Sequence, residues 1–269
     1  VIRLKFLHTA RNVLALSFLA SSLAFSPAQA QTNGEIKVMI SGGFSAAYDE
    51  LVPQFEARHG VKVTTVHGPS MGATPQAIPN RLARGESADV VILADTSLDK
   101  LIEQGKVLPA SRTDLVRSII AMAVKEGAPV PKLETTDDLK KAMLEAKSIA
   151  YSDSASGVYI ATEMLKKLGI EEQVKGKSRA IPAEPVAKVV ARGEAEIGFQ
   201  QMSELKPIKG ITIVGPIPAE VQKVTVFSAG VVKGAPNEQG GMELVRYLSS
   251  EAAEPAIVRS GLEPAWKGK

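Results

Sequence analysis

Three loops of small residues carry the types best suited to holding an anion: SGGFS (Ser41–Ser45), GPSMG (Gly68–Gly72) and YSDSASGVY (Tyr151–Tyr159). Each follows an apolar run or leads into a stretch with helical periodicity. Their backbone N–H groups and hydroxyls therefore stand at helix N-termini, where partial positive charge binds anions without a formal cation. Ser70, Ser154 and Ser156 are the hydroxyls expected both to cap a helix and to meet a ligand. Ser41 and Ser45 bracket the first loop, and Met71 lies within the second. Gly42, Gly43, Gly72 and Gly157 are either turn glycines or places where backbone approaches the ligand.

Other chemistry is excluded by composition. With no cysteine there is no disulfide, no thiolate metal site and no cysteine nucleophile. Without a nucleophile elbow, a P-loop or an H-E-x-x-H run, and with His59 and His67 as the histidines beyond the leader, neither metal nor cofactor is expected. Gly193–Gly198 (GEAEIG) reads as a turn into a strand. The net charge of +3 resides in Arg3, Lys5 and Arg11, so the chain beyond them is neutral and has no electrostatic footprint for nucleic acid.

Those same residues begin a signal peptide over residues 1–30. Val13–Leu23 is its apolar stretch and Ala28-Gln29-Ala30 its small-residue cleavage site. The stretch is too short for a membrane span, which needs about 18–20 residues, so a periplasmic location is expected.

The elements that must position the loops alternate. Strands are predicted at Ile36–Ile40, Val61–Val66, Val90–Leu93, Ile119–Val124, Ser148–Tyr151 and Ile197–Gln200, with amphipathic helices between them. The order implies α/β architecture with doubly wound sheets. Ligands in such sheets bind beyond the carboxyl ends of the strands, where all three loops lie. Two lobes are expected, residues 31–117 with 225–269 and residues 118–224, joined by two crossing segments.

In the order of SGGFSAAYDEL, GPSMG, SADVVILAD, SDSASGVY and GEAEIGFQ the chain resembles the periplasmic molybdate-binding-protein family, a class of type II solute-binding proteins. The resemblance implies a two-lobed fold closing on an oxyanion. Two positions depart from the family pattern: Gly43 replaces a ligand serine, and Gln201, preceded by Gln200, replaces a tyrosine. Both changes suit a carboxylate better than tetrahedral molybdate. The runs GPSMGATPQAIPNRL and IPAEPVAKVVARGEAEIGFQQ resemble the aconitate isomerase branch of that family. This implies interconversion of trans- and cis-aconitate by a cofactor-free allylic proton shift. The alternative is a non-catalytic binding protein delivering a carboxylate or oxyanion to an ABC permease.

A tricarboxylate calls for cations, and arginine meets a carboxylate in two bonds. Arg81 and Arg117 are the expected partners, with Arg179 a third. The proton shift calls for a base. His67 ends a strand directly before GPSMG and belongs to the residue type that titrates near neutral pH. Glu184, at a helix start, is the second candidate, and Asp153 reads as a cap.

Overall fold

The computed structural model describes Val1 and residues 34–267. The basic, apolar and cleavage segments of the expected signal peptide fall in residues 2–33, outside the described residues.

The first βα units are β1 (Glu35–Ile40), α1 (Gly42–His59), β2 (Lys62–His67), α2 (Ile78–Ala83), β3 (Val90–Ala94) and α3 (Asp95–Glu103). Next come β4 (Thr113–Ser118), β5 (Ile120–Lys125), α4 (Thr136–Glu145), β6 (Ile149–Ser152), α5 (Ala155–Tyr159) and α6 (Leu165–Leu168). The chain continues through α7 (Glu171–Val174), β7 (Ser178–Ile181), α8 (Val186–Ala191), β8 (Ile197–Gln201), α9 (Met202–Leu205) and β9 (Ile211–Pro216). It closes with β10 (Thr225–Val231), α10 (Glu238–Leu248), α11 (Glu254–Arg259) and β11 (Glu263–Pro264).

Two mixed sheets result, ordered β11-β4-β10-β3-β1-β2 and β7-β6-β8-β5-β9. The strands linked by helices run parallel, β2–β1–β3 in one sheet and β7–β6–β8 in the other. Where the chain crosses between sheets the pairing turns antiparallel, β10 against β3 and β4, and β5 against β8 and β9. These strands arrive without a helical crossover, which frees them from the parallel direction that a βαβ unit imposes.

Both faces of the central strands are covered, which is why β3 reads as an unbroken apolar run. Val90, Ile92 and Ala94 join the core under α1, α10 and α11, where Phe44, Tyr48, Leu51 and Phe55 pack. Val91 and Leu93 face α2 and α3, against Ile78, Leu82, Leu98 and Leu101. In the second sheet Ile197 and Phe199 face α4 and the helices after β6. Gly198 points the other way, and a Cβ there would meet Val186 and Val190 at 2.9 and 2.5 Å. Its missing side chain is what lets α8 lie close on the sheet.

The chain passes from the first sheet to the second within Ser118–Ile120 and returns between Pro216 and Thr225. Gln222 ties the two passages together: its Oε1 accepts from Ile120 N at 2.8 Å and its Nε2 donates to Ile120 O at 2.9 Å. Among the described residues no helix is long and apolar enough to cross a membrane.

Candidate anion-binding cleft

The carboxyl ends of the parallel strands in both sheets open onto one cleft of about 380 Å³, within the size range of small-molecule sites. Its first wall is the start of α1. Ser41 takes extended backbone angles as N-cap, yet its hydroxyl caps nothing. That Oγ is buried without a partner and belongs to the cleft wall, so it is a donor held ready for a ligand. Beside it Gly43 has no room for a side chain, because a Cβ there would overlap the Phe227 ring. The serine of the molybdate-binding pattern is thus replaced by an aromatic ring reaching in from β10. Ser45 bonds the His67 ring at 3.3 Å, from Oγ to Nδ1, at the exposed mouth of the cleft.

The facing wall is the loop after β6 and the start of α5. Ser152 and Ser156 share a hydrogen bond of 3.0 Å, Oγ to Oγ, and Ser152 Oγ also accepts from Gly157 N at 3.3 Å. Ser154 is the N-cap, and its hydroxyl accepts the N–H of Ser70 from across the cleft at 3.0 Å. Gly72 lies against the same loop, so close that a Cβ would meet Asp153 O at 2.6 Å. Ala183, at φ 53°, turns the segment before α8 into the cleft and donates its N–H to the Asp153 carboxyl. Burial nonetheless holds that carboxyl above its ordinary value, as it does Asp49 across the mouth, where His67 offsets part of the effect.

The floor is the end of β8 and the start of α9. Gln200 Oε1 accepts from Val186 N at 2.9 Å, which leaves its amide N–H to donate to Glu204 Oε1 at 2.8 Å. Gln201 donates to Thr225 Oγ1 at 3.0 Å, and its own Oε1 is buried and unpartnered. Ser203 Oγ donates to Gly43 O at 2.7 Å, locking α9 onto α1. Glu204 itself was not among the expected residues. It opens into the cleft but is otherwise walled in, and the burial raises its pKa to about 7 against the opposing bonds from Gln200 and the Gln201 N–H.

The structure therefore brings Ser41, Gly43, Ser45, His67, Ser154, Ser156, Glu184, Gln200 and Gln201 to one cleft. Several expectations require correction. Ser70 is fully buried and its hydroxyl accepts from Ala94 N at 2.9 Å, so it builds the loop and does not face a ligand. Met71 packs on the core beneath α1. Gly157 is a packing glycine, since a Cβ would overlap Ser152 O. Arg81 is turned to Glu86 at 2.7 Å and to Gln76 O at 3.1 Å, bracing the start of α2 outside the cleft. Arg117 lies near the end of β4, opposite Val226 and Glu263, also outside the cleft lining. Arg179 is exposed beside Glu194. Glu184 does line the cleft, but both its oxygens are taken by Arg192, at 2.7 and 3.1 Å, and the pairing lowers its pKa. The bond to Arg192 outweighs what desolvation there is, which leaves Glu184 a weaker base than an ordinary carboxylate.

Among the described residues the cleft lining holds no arginine or lysine. Negative charge on a ligand would therefore be met by the N-termini of α1 and of the helical run from Ala155 to Leu168, and by hydroxyls. No group of three or more His, Asp or Glu among the described residues stands ready to hold a metal.

A two-lobed α/β fold with helix N-termini converging on an interlobe cleft defines a solute-binding protein. The chain belongs to the bacterial extracellular solute-binding protein family, whose model matches residues 36–263. It is 48% identical to an aconitate isomerase of Pseudomonas sp over 87% of this chain and 90% of that protein. It is 28% identical to the molybdate-binding protein ModA of Azotobacter vinelandii, over 90% and 94% of the two chains. Among solved structures, the periplasmic molybdate-binding protein of Azotobacter vinelandii superposes with a TM-score of 0.70 at 21% identity, covering 84% of this chain and 98% of that one. The sulfate-binding protein SubI of Mycobacterium tuberculosis H37Rv gives 0.66 at 17% identity, over 87% and 88%. These last two likenesses speak for the fold.

Proposed function

We propose that this chain is a periplasmic aconitate isomerase, interconverting trans- and cis-aconitate in the cleft between its lobes. The observation that carries the reading is the 48% identity to an aconitate isomerase along almost the whole of both chains. The cleft supports it. Phe227 fills the place of a ligand serine, and Ser41 Oγ and Gln201 Oε1 are buried polar atoms awaiting partners.

In the allylic shift a proton leaves the methylene carbon of aconitate and a proton returns to the vinylic carbon, with the double bond moving between them. The anionic intermediate spreads its charge onto the flanking carboxylates. The N–H groups at the starts of α1 and α5 are placed to stabilise that charge as it develops. Residues 31–117 with 225–269, and residues 118–224, are the two lobes in this reading, supported by the changes of sheet at Ser118–Ile120 and between Pro216 and Thr225. The periplasmic location is supported by the signal peptide read in residues 1–30 and by the extracellular family.

A second reading, a binding protein that delivers a carboxylate or oxyanion to an ABC permease, is favoured by the 28% identity to a molybdate-binding protein. Chromatography separates the two. Catalytic amounts of purified protein should convert trans-aconitate to the equilibrium mixture of isomers. Recovery of unchanged trans-aconitate from a saturated complex would establish the binding protein instead.

A further inference from the structure

We propose that Glu204 is the catalytic residue that carries the proton between the two carbons of the allylic shift, oriented by Gln200 and the Gln201 N–H. The inference rests on the isomerase reading and assigns its acid–base group.

The geometry is particular. The Gln200 amide cannot turn over, since its oxygen is held by Val186 N at 2.9 Å, and its N–H is therefore committed to Glu204 Oε1 at 2.8 Å. Gln201 donates its backbone N–H to the same carboxyl. Gly42 supplies the space, because a Cβ there would overlap Glu204 Oε1, so the carboxyl lies directly on the first turn of α1. This is the turn whose N–H groups would face a substrate carboxylate. One carboxyl thus sits where the reacting carbons would be held, fixed by two donors and backed by a helix N-terminus.

The other titratable groups leave this role open to it. Asp49 on α1 and His67 stand at the mouth, and Glu184 is spent on Arg192. Of the cations on elements packed against α9, Lys206 reaches the Arg259 carbonyl at 3.0 Å, and Arg192 at the end of α8 is held by Glu184 and Glu194. Lys188 is exposed on α8, and Lys125 of β5 lies beside Gly193. No ion pair to Glu204 forms among the described residues, and its pKa is pushed up to about 7 by burial. A base in that range is strong enough to matter and about half ionised at neutral pH.

The step balances within one residue. Ionised Glu204 takes a proton from the methylene carbon, and the C–H electron pair becomes the new double bond to the central carbon. The old π pair takes the proton back from Glu204 at the former vinylic carbon. Nothing is oxidised or reduced, and the carboxylate is regenerated. Because the substrate is itself an anion, its binding disfavours ionised Glu204. The acid limb of kcat, which reports the complex, should therefore lie at higher pH than that of kcat/KM, which reports the free enzyme.

Kinetics of the wild type and E204Q, with trans-aconitate affinity measured by calorimetry, test the proposal together with a ¹³C titration of Glu204 in carboxyl-labelled wild-type protein. E204Q should lose about 10³-fold in kcat while its Kd stays within about fivefold. The labelled carboxyl should titrate near 7 and move upward when trans-aconitate is added. E204Q that retains kcat within tenfold, beside an active wild type, would overturn the role of Glu204 alone, and so would a carboxyl titrating at its ordinary value. A wild type that binds trans-aconitate without turnover would remove the isomerase reading and this proposal with it.

Discussion

The Ser154 hydroxyl accepts the backbone N–H of Ser70 at 3.0 Å, joining the loop after β2 to the N-cap of α5 across the cleft. The bond spans the two walls that must hold a ligand between them. Ser154→Ala leaves the Ser70 N–H without its partner, at a cost of about 1–3 kcal/mol if water cannot replace it. Calorimetry of the variant with trans-aconitate should show affinity weakened by roughly five- to tenfold. Wild-type affinity would mean the bond is incidental to binding.

Gly43 and Phe227 exclude a serine side chain from the first loop. Gly43→Ser should therefore destabilise by about 1–3 kcal/mol, the usual cost of overpacking, which lowers Tm by several degrees in a chain of this size. Phe227→Ala combined with Gly43→Ser should relieve the clash, so that the double variant loses less than the sum of the single changes. Thermal melts of the three proteins check this, and strict additivity would refute the steric account.

Glu204 also has a consequence for stability. Its folded pKa, about 7, exceeds its ordinary 4.5, so the folded state holds a proton that the unfolded state releases. The stabilising contribution is complete below the ordinary value and is lost as pH rises from there through about 7. By linkage the loss is of order 3 kcal/mol at most. Glu204→Gln, which cannot ionise, should melt above the wild type at pH 8 and close to it at pH 5. A Tm difference that does not change with pH would show that the carboxyl is not desolvated.

Two residues that the sequence recommends should prove dispensable to the chemistry. Arg81→Ala breaks the contacts to Glu86 and to Gln76 O on α2, so trans-aconitate affinity should stay within about twofold while Tm falls slightly. Glu184→Gln releases Arg192 near the surface, and turnover should stay within about fivefold. A hundredfold loss in either variant would return that residue to the site.

The contrast between those residues and Glu204 marks how far the sequence reaches. SGGFS and SDSASG were legible because helix N-termini at the carboxyl ends of strands are a local arrangement, written in consecutive residues; GPSMG was not, since α2 begins only at Ile78. The change of sheet near Ser118 was legible as well, although β4 and β9 were not, since TDLVRS and ITIVGP lack a clean apolar alternation. Arg81 misled as a free cation, yet Glu86 lies close enough in the chain to have warned of an ion pair. Glu204 was out of reach. In MSEL it is an ordinary acid in the first turn of a helix, and its environment arises when α9 docks on Gly42 and Gly43, some 160 residues away. Ser70 shows the reverse limit: a serine in the right loop whose hydroxyl is consumed by Ala94 N.

Carbon labelling follows the double bond itself as it moves between two carbons. Trans-aconitate carrying ¹³C at the methylene carbon should give cis-aconitate with the label at the vinylic carbon, read in one carbon spectrum. Cis-aconitate with the label still in the methylene group would mean rotation about an unmoved double bond, with no allylic shift at all.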